Sequence, residues 1–229
     1  MAKKNTTEEP IINVQEVYTK TELFVDRNRK ILAGVLGGLA LIFASYFAYR
    51  YLIVEKNEEQ AANMIWKAQQ YFEIDSVNQA RFGDGYFNGF EDVIEEYPST
   101  RAGKLAHFYL GIMDRNNAEY ETAIDHFMEC DFNDNAVGVL ALANIGDMYV
   151  ELEQYEDAAT WLEKAANKAK SSESKDFSAP LYLYKAAIVN FELGNSDKAY
   201  GMFKEIVDNY PNSSESDNAK KYASRLSQK

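Results

Sequence analysis

Apolar and polar positions divide the chain into two regimes. From Ile31 to Tyr49 no position is charged, nine of the nineteen residues are Leu, Ile, Val or Phe, and Leu52, Ile53 and Val54 continue the run past a single Arg50. Nineteen residues at 1.5 Å rise make about 28 Å of helix, close to the hydrocarbon thickness of a bilayer. Those nine side chains contribute roughly −3 to −5 kcal/mol of insertion free energy. The sequence predicts a transmembrane helix over 31–54. Beyond it, Ala61, Met64, Ile65, Ala68 and Phe72 recur at spacings of three and four, the pattern of an amphipathic helix. No Gly or Pro lies between Gly38 and Gly83. The membrane helix is therefore expected to run on into this first outer helix and to keep the following domain near the membrane.

The flanks of the apolar run set its role and direction. Thirty residues precede it, and it leaves through Tyr46-Phe47-Ala48-Tyr49-Arg50-Tyr51. That exit suits an interfacial aromatic belt better than a peptidase site, which predicts a retained anchor. Arg27, Arg29 and Lys30 abut the entry side, and Glu55, Glu58 and Glu59 follow the exit. The positive-inside rule then places residues 1–30 in the cytoplasm and 55–229 across the membrane, with Arg50 snorkelling to the interface. In a bacterium this is an inner-membrane protein with a periplasmic domain. Gly34 and Gly38 form a GxxxG pair, and Ala40, Ala44 and Ala48 continue at spacing four. Small residues so spaced admit a partner helix, although they are also common in membrane helices at large.

The outer region repeats itself. Gly111-Ile112-x-Asp114 precedes Tyr120-x-x-Ala123-x-x-x-Phe127-x-x-Cys130. The frame returns as Leu142-x-x-Ile145-Gly146-x-x-Tyr149 before Tyr155-x-x-Ala158-x-x-x-Leu162-x-x-Ala165. It returns again as Leu183-x-x-Ala186-Ala187 before Ala199-x-x-x-Phe203-x-x-Ile206, closing at Tyr210-Pro211. Ala123 and Ala158 are 35 apart, Ala158 and Ala199 are 41 apart, and a polar loop, Ser171 to Lys175, absorbs the excess. These residues resemble the tetratricopeptide repeat, a helix–turn–helix unit of about 34 residues. A degenerate earlier unit is expected over 57–98. Its second helix closes at Phe90-x-x-Val93-Ile94-x-x-Tyr97-Pro98, and its inter-helix segment carries Gly83, Gly85 and Gly89. The expected layout is a tail (1–30), a transmembrane helix (31–54), a linking helix with a degenerate first repeat (55–98), three repeats (99–213) and a capping helix (214–229). The fold class is all-α, a single transmembrane helix followed by a tetratricopeptide-repeat α-solenoid.

Charge narrows the partners. The chain carries a net −12, and residues 55–229 hold 17 basic against 31 acidic groups. Such a surface disfavours nucleic acid and anionic headgroups, which leaves proteins or peptides. The single cysteine, Cys130, excludes an intrachain disulfide, so about 175 residues must be stabilised by core packing alone.

Catalytic chemistry finds little material. His107 and His126 stand nineteen residues apart, which matches no zinc spacing, and read as structural. Asp131-x-Asn133-x-Asn135 opens like a calcium loop, but Ala136 replaces the glycine and Leu142 the bidentate glutamate. Gly83-Asp84-Gly85 lacks the context of a phosphate loop. The expectation is a protein that is not an enzyme, with no cofactor, metal or small-molecule substrate.

The repeat frame assigns Phe108, Ile112, Asn144, Asp147, Tyr184, Ile188 and Phe191 to the concave, first-helix face. They are candidates for a groove that takes an extended or helical apolar segment. Alternatively, several pack against neighbouring helices or the capping helix. Chaperone-type members of the repeat family grip a C-terminal carboxylate with a cluster of Lys, Arg and Asn, and with only Asn144 and Lys185 corresponding here that mode is not expected.

The whole arrangement resembles the ancillary SecYEG translocon subunit family (YfgM-like). The resemblance rests on the short tail, the helix entered from Arg and Lys, and the outer repeats. It implies a place beside the Sec channel with a membrane-anchored periplasmic chaperone, helping to hand over emerging proteins. The tail departs from that pattern, with Ile11, Ile12, Val14 and Val17 and a Thr19-x-x-Glu22 capping box before Leu23. The competing expectation is a scaffold for another envelope machine, in division, motility or cell-wall synthesis.

Overall fold

The computed structural model describes residues 14–227, with side chains from residue 22. The expected tail residues Ile11 and Ile12 lie outside that range. The described residues form helices and no strands: α1 (Val14–Tyr49), a π-helical turn (Arg50–Val54), α2 (Glu55–Glu73), α3 (Val77–Phe82), α4 (Phe90–Glu96), α5 (Arg101–Asn116), α6 (Tyr120–Met128), α7 (Val137–Glu151), α8 (Tyr155–Ala169), α9 (Lys175–Glu192), α10 (Ser196–Asn209) and α11 (Ser216–Leu226). They group into two units, residues 1–55 and 56–229.

In the first unit, α1 contains a stretch long and apolar enough to cross a membrane, and none of that stretch is buried by protein. The helix already includes Thr19 and Glu22, so that pattern lies inside a helix and does not start one. The π-helical turn is the five-residue loop in which Glu55 N–H bonds the carbonyl of Arg50.

The second unit is built from one turn used four times. Asp75, Ala118, Glu153 and Gly194 all adopt positive φ, between 59° and 79°. In each case the next residue's N–H returns to a carbonyl five positions back: Ser76 to Tyr71, Glu119 to Asp114, Gln154 to Tyr149 and Asn195 to Asn190, at 2.8–2.9 Å. Five residues past each positive-φ position stands an alanine with no exposed surface: Ala80, Ala123, Ala158 and Ala199. The repeated turn reverses the chain so that this alanine meets the first helix, and its lack of bulk permits the close crossing.

The larger side chains confirm the frame. A Cβ placed on Gly111 would lie 2.9 Å from the Phe127 ring, and one on Gly146 would lie 2.7 Å from Leu162 Cγ. Phe127, Leu162 and Phe203, each sixteen residues after the small residue of its repeat, are among the largest fully buried side chains. Successive helices then pack in order, α6 on α7, α8 on α9, and α11 on α10.

The degenerate first unit differs from expectation in one respect. Its inter-helix turn is the same tight turn, at Ile74 to Ser76, carried by Asp75 in place of a glycine. The Gly83–Gly89 segment instead interrupts the second helix, dividing it into α3 and α4. Gly83 (φ 76°) crosses so close to Phe87 that a Cβ would lie 2.2 Å from its carbonyl oxygen. The second helix still closes as expected. Tyr97 (φ −134°, ψ 49°) and Tyr210 (φ −130°, ψ 52°) share one conformation, each before a proline.

Candidate functional site

The predicted groove residues lie on α5, α7 and α9, the first helices of the three repeats. They fall into two sets. The apolar set is already engaged. Phe108 stands edge-on to Phe127, ring centres 5.7 Å apart, and Ile112 packs on the same core cluster. Tyr184 packs edge-on to Phe203 (5.8 Å) and Tyr222 (6.3 Å), and Phe191 meets Tyr222 at 5.5 Å with the Arg225 guanidinium above its ring. Ile188 packs on the cluster containing Leu183, Ala187 and Phe203. Tyr222 and Arg225 belong to α11, so the capping helix covers the aromatic end of this face. A solenoid must cover the apolar side of its last repeat, and α11 does so here.

Of the polar set, Asn144 is buried and Asp147 remains open. Arg115, Tyr120, Asp147, Met148, Val150, Glu151 and Lys185 line a depression of about 430 Å³. Arg115 Nη1 donates to Asn144 Oδ1 (2.6 Å), and Asn144 Nδ2 donates to the Leu140 carbonyl (2.8 Å). Lys185 Nζ donates to both Asp147 oxygens, at 2.6 and 2.9 Å. The two side chains of that pair are 37% and 35% exposed, so water screens it and a ligand can compete for either member. Burial, and after it the Asp147 charge, raises the pKa of the neighbouring Tyr182 phenol above its usual 10.

Two separate pairs, Arg115–Asn144 and Lys185–Asp147, therefore span three successive repeats, and Arg115, Asp147 and Lys185 reach the depression while Asn144 is buried behind Arg115. Arg115 and Lys185 have N–H groups beyond those used in these bonds that can meet backbone carbonyls or carboxylates, and Asp147 can accept from amides. Arg115 is the member that the sequence pattern missed. It stands one position after Asp114 in a frame otherwise anchored on small residues.

Elsewhere, Gly34 and Gly38 have no neighbouring atom within 4 Å of an added Cβ, and Ala40, Ala44 and Ala48 are exposed. The small-residue stripe of α1 is uncovered. The Gly83–Gly89 segment exposes Tyr86 and Phe87, with Phe82 beside it, and the Trp66 and Phe87 rings meet edge-on at 6.0 Å. Among the described residues no three His, Cys, Asp or Glu side chains converge as a metal site. Burial pushes the Cys130 thiol up to about 12, which makes it a poor nucleophile.

Residues 182–213 match the tetratricopeptide repeat family model. That stretch holds most of α9, all of α10 and the Tyr210-Pro211 turn, the last of the four repeated units. No curated protein matches the chain. The fold is all-α, with an N-terminal apolar helix and a tetratricopeptide-repeat solenoid, and such a module supports a role in protein–protein interaction.

Proposed function

We propose that this chain is a non-catalytic, membrane-anchored protein-interaction subunit. It associates with the Sec translocon and a membrane-anchored periplasmic chaperone, and it assists the export or hand-over of secreted proteins. The observation that carries the reading is the depression lined by Arg115, Asp147 and Lys185 of α5, α7 and α9, on a repeat solenoid that follows an apolar helix of membrane-spanning length. The acidic surface and the repeat architecture favour a protein partner, and Arg27, Arg29 and Lys30 favour an inner-membrane span with a cytoplasmic N-terminus. In this reading Arg115, Asp147 and Lys185 bind the partner's backbone and polar groups. Of the predicted concave-face residues it keeps Asp147 as a contact, with Asn144 fixing Arg115, while Phe108, Ile112, Tyr184, Ile188 and Phe191 hold the face in shape. Gly34, Gly38, Ala40, Ala44 and Ala48 form the packing face for a second membrane helix.

Affinity purification of the full chain in mild detergent, followed by mass spectrometry, tests the proposal. Channel subunits and a periplasmic chaperone should be recovered, and replacing Gly34 and Gly38 with Leu should reduce the yield. Absence of both classes overturns the Sec assignment. Recovery of division, motility or cell-wall components in their place would assign a scaffold of another envelope machine.

A further inference from the structure

The repeat frame makes His107 and His126 exceptions. Nineteen residues separate them, and the same separation joins Leu142 to Trp161 and Leu183 to Met202 in the next two repeats. Leu142 and Leu183 are buried, and Trp161 and Met202 half-buried. Where its siblings put an apolar pair, this repeat puts two imidazoles. Their Nδ1 atoms lie 3.0 Å apart across the α5–α6 crossing. That is an ordinary N–H···N distance. Two imidazole nitrogens on a tetrahedral zinc with bonds of 2.0–2.1 Å would stand about 3.3 Å apart or more, so the geometry is that of a hydrogen bond.

A buried carboxylate sets the direction of that bond. Asp114 has no exposed surface. Its Oδ1 is bonded by Arg81 Nη2, and Arg81 Nη1 holds Glu91 at 3.0 Å. Its Oδ2 has no hydrogen-bond partner and stands 3.5 Å from His126 Nε2. An anion there selects the tautomer with hydrogen on His126 Nε2. His126 Nδ1 is then the acceptor, and His107 Nδ1 must carry the hydrogen. Arg81, Asp114, His126 and His107 form one polarised chain from α3 through α5 and α6.

Protons work against this chain. A first proton on His107 Nε2 leaves the Nδ1–H···Nδ1 bond in place but puts a charge in a half-buried site. A second must add to His126 Nδ1, which sets two N–H groups and two positive charges against each other. We propose that the His107–His126 pair is an acid-sensitive joint, holding α5 to α6 while neutral and releasing them as the imidazoles take up protons.

The surroundings agree with that direction. The charged groups that face the pair are Arg81 from α3, Glu91 from α4, Asp114 from α5, and Asp125 and Glu129 from α6. α7, packed against both helices, carries carboxylates at Asp147 and Glu151, the first paired with Lys185. Burial lowers both imidazoles below their usual 6.5. The neighbouring His126 lowers His107 further, while Glu129 and Glu91 oppose the shift. For His126 the Asp114 charge is the main opposing influence. Because the folded state favours neutral imidazole, the stability it contributes is complete above pH 6.5. It is lost as pH falls through that value towards the lower folded-state pKa.

The test uses the full chain in detergent micelles from pH 7.5 to pH 5.0. Imidazole nitrogen resonances should report hydrogen on His107 Nδ1 and His126 Nε2, with midpoints below 6.5. The melting temperature should fall across the same range. The opening equilibrium should rise by up to about tenfold per pH unit for each proton taken up. The double variant His107→Leu/His126→Met installs the pair found at Leu183 and Met202, and it should lose most of that pH dependence. An undiminished pH dependence in the variant overturns the proposal, as does independent titration of the two rings near 6.5. Stoichiometric zinc that raises the melting temperature of the parent but not of the variant would also overturn it, by making the pair a metal site. The resonance measurement on the parent decides the matter even if the variant fails to fold.

Discussion

Asp114 and Asn190 occupy the same place in two repeats, four residues before the positive-φ turn, and both are fully buried. Their environments are opposite. Asn190 is a neutral amide with its capacity used locally. Its Nδ2 donates to the Ala186 carbonyl and to Glu163 Oε1, both at 2.9 Å, and its Oδ1 accepts from Asn195 Nδ2 at 3.2 Å. Asp114 is a carboxylate with one oxygen held by Arg81 and the other facing an imidazole. Each reaches back to the second helix of the preceding unit, Asn190 to α8 and Asp114 to α3. An amide clamp, Asn190 on the Glu163 carboxylate that Lys198 also holds at 2.6 Å, joins the last repeats, and a buried carboxylate between a guanidinium and an imidazole joins the first. The clamp of the first repeats has the fully buried charge and the imidazoles beside it, so loss of one partner and a fall in pH disturb it most.

The largest expected effect follows from that asymmetry. Arg81→Met leaves the Asp114 carboxylate buried without its cation and should cost about 3–5 kcal/mol in chemical denaturation. Arg81→Met/Asp114→Asn should recover much of the loss, and a single-variant cost below about 1 kcal/mol would break the comparison. Asn190→Ala strands only neutral or partly exposed partners, so about 1–3 kcal/mol is expected. Gly111→Ala forces a methyl into the Phe127 ring at a position where Ala187 tolerates one, and should cost about 1–3 kcal/mol by thermal unfolding. Lys185→Ala is the smallest. Its exposed pair with Asp147 is worth less than about 1 kcal/mol, so the fold should be unchanged while partner recovery falls.

The architecture was legible because the repeat is a packing rule written into residue size. Gly111, Gly146 and Ala187 followed sixteen positions later by Phe127, Leu162 and Phe203 can be read without coordinates. The turn at Asp75 was harder to see, because an aspartate at positive φ carries no glycine signature, whereas the glycines of this unit lie in the Gly83–Gly89 segment inside its second helix. The groove was half legible. Helical spacing placed its seven candidate residues on α5, α7 and α9, but it could not show that α11 covers Tyr184 and Phe191, a contact set by tertiary packing. The structural reading of the histidines was legible, but their pairing was not: a nineteen-residue separation matches no metal motif because it is the repeat's own cross-helix spacing, shared with Leu142–Trp161 and Leu183–Met202.

The central claim is that one repeat frame holds two kinds of joint, one with imidazoles and one without. Amide hydrogen exchange on the full chain in micelles, corrected for the intrinsic pH dependence of exchange, tests it most directly. Between pH 7.5 and pH 5.5, protection should fall in α5 and α6 and hold in α9 and α10. Equal loss in both pairs of helices, or no loss in α5 and α6, would contradict the account.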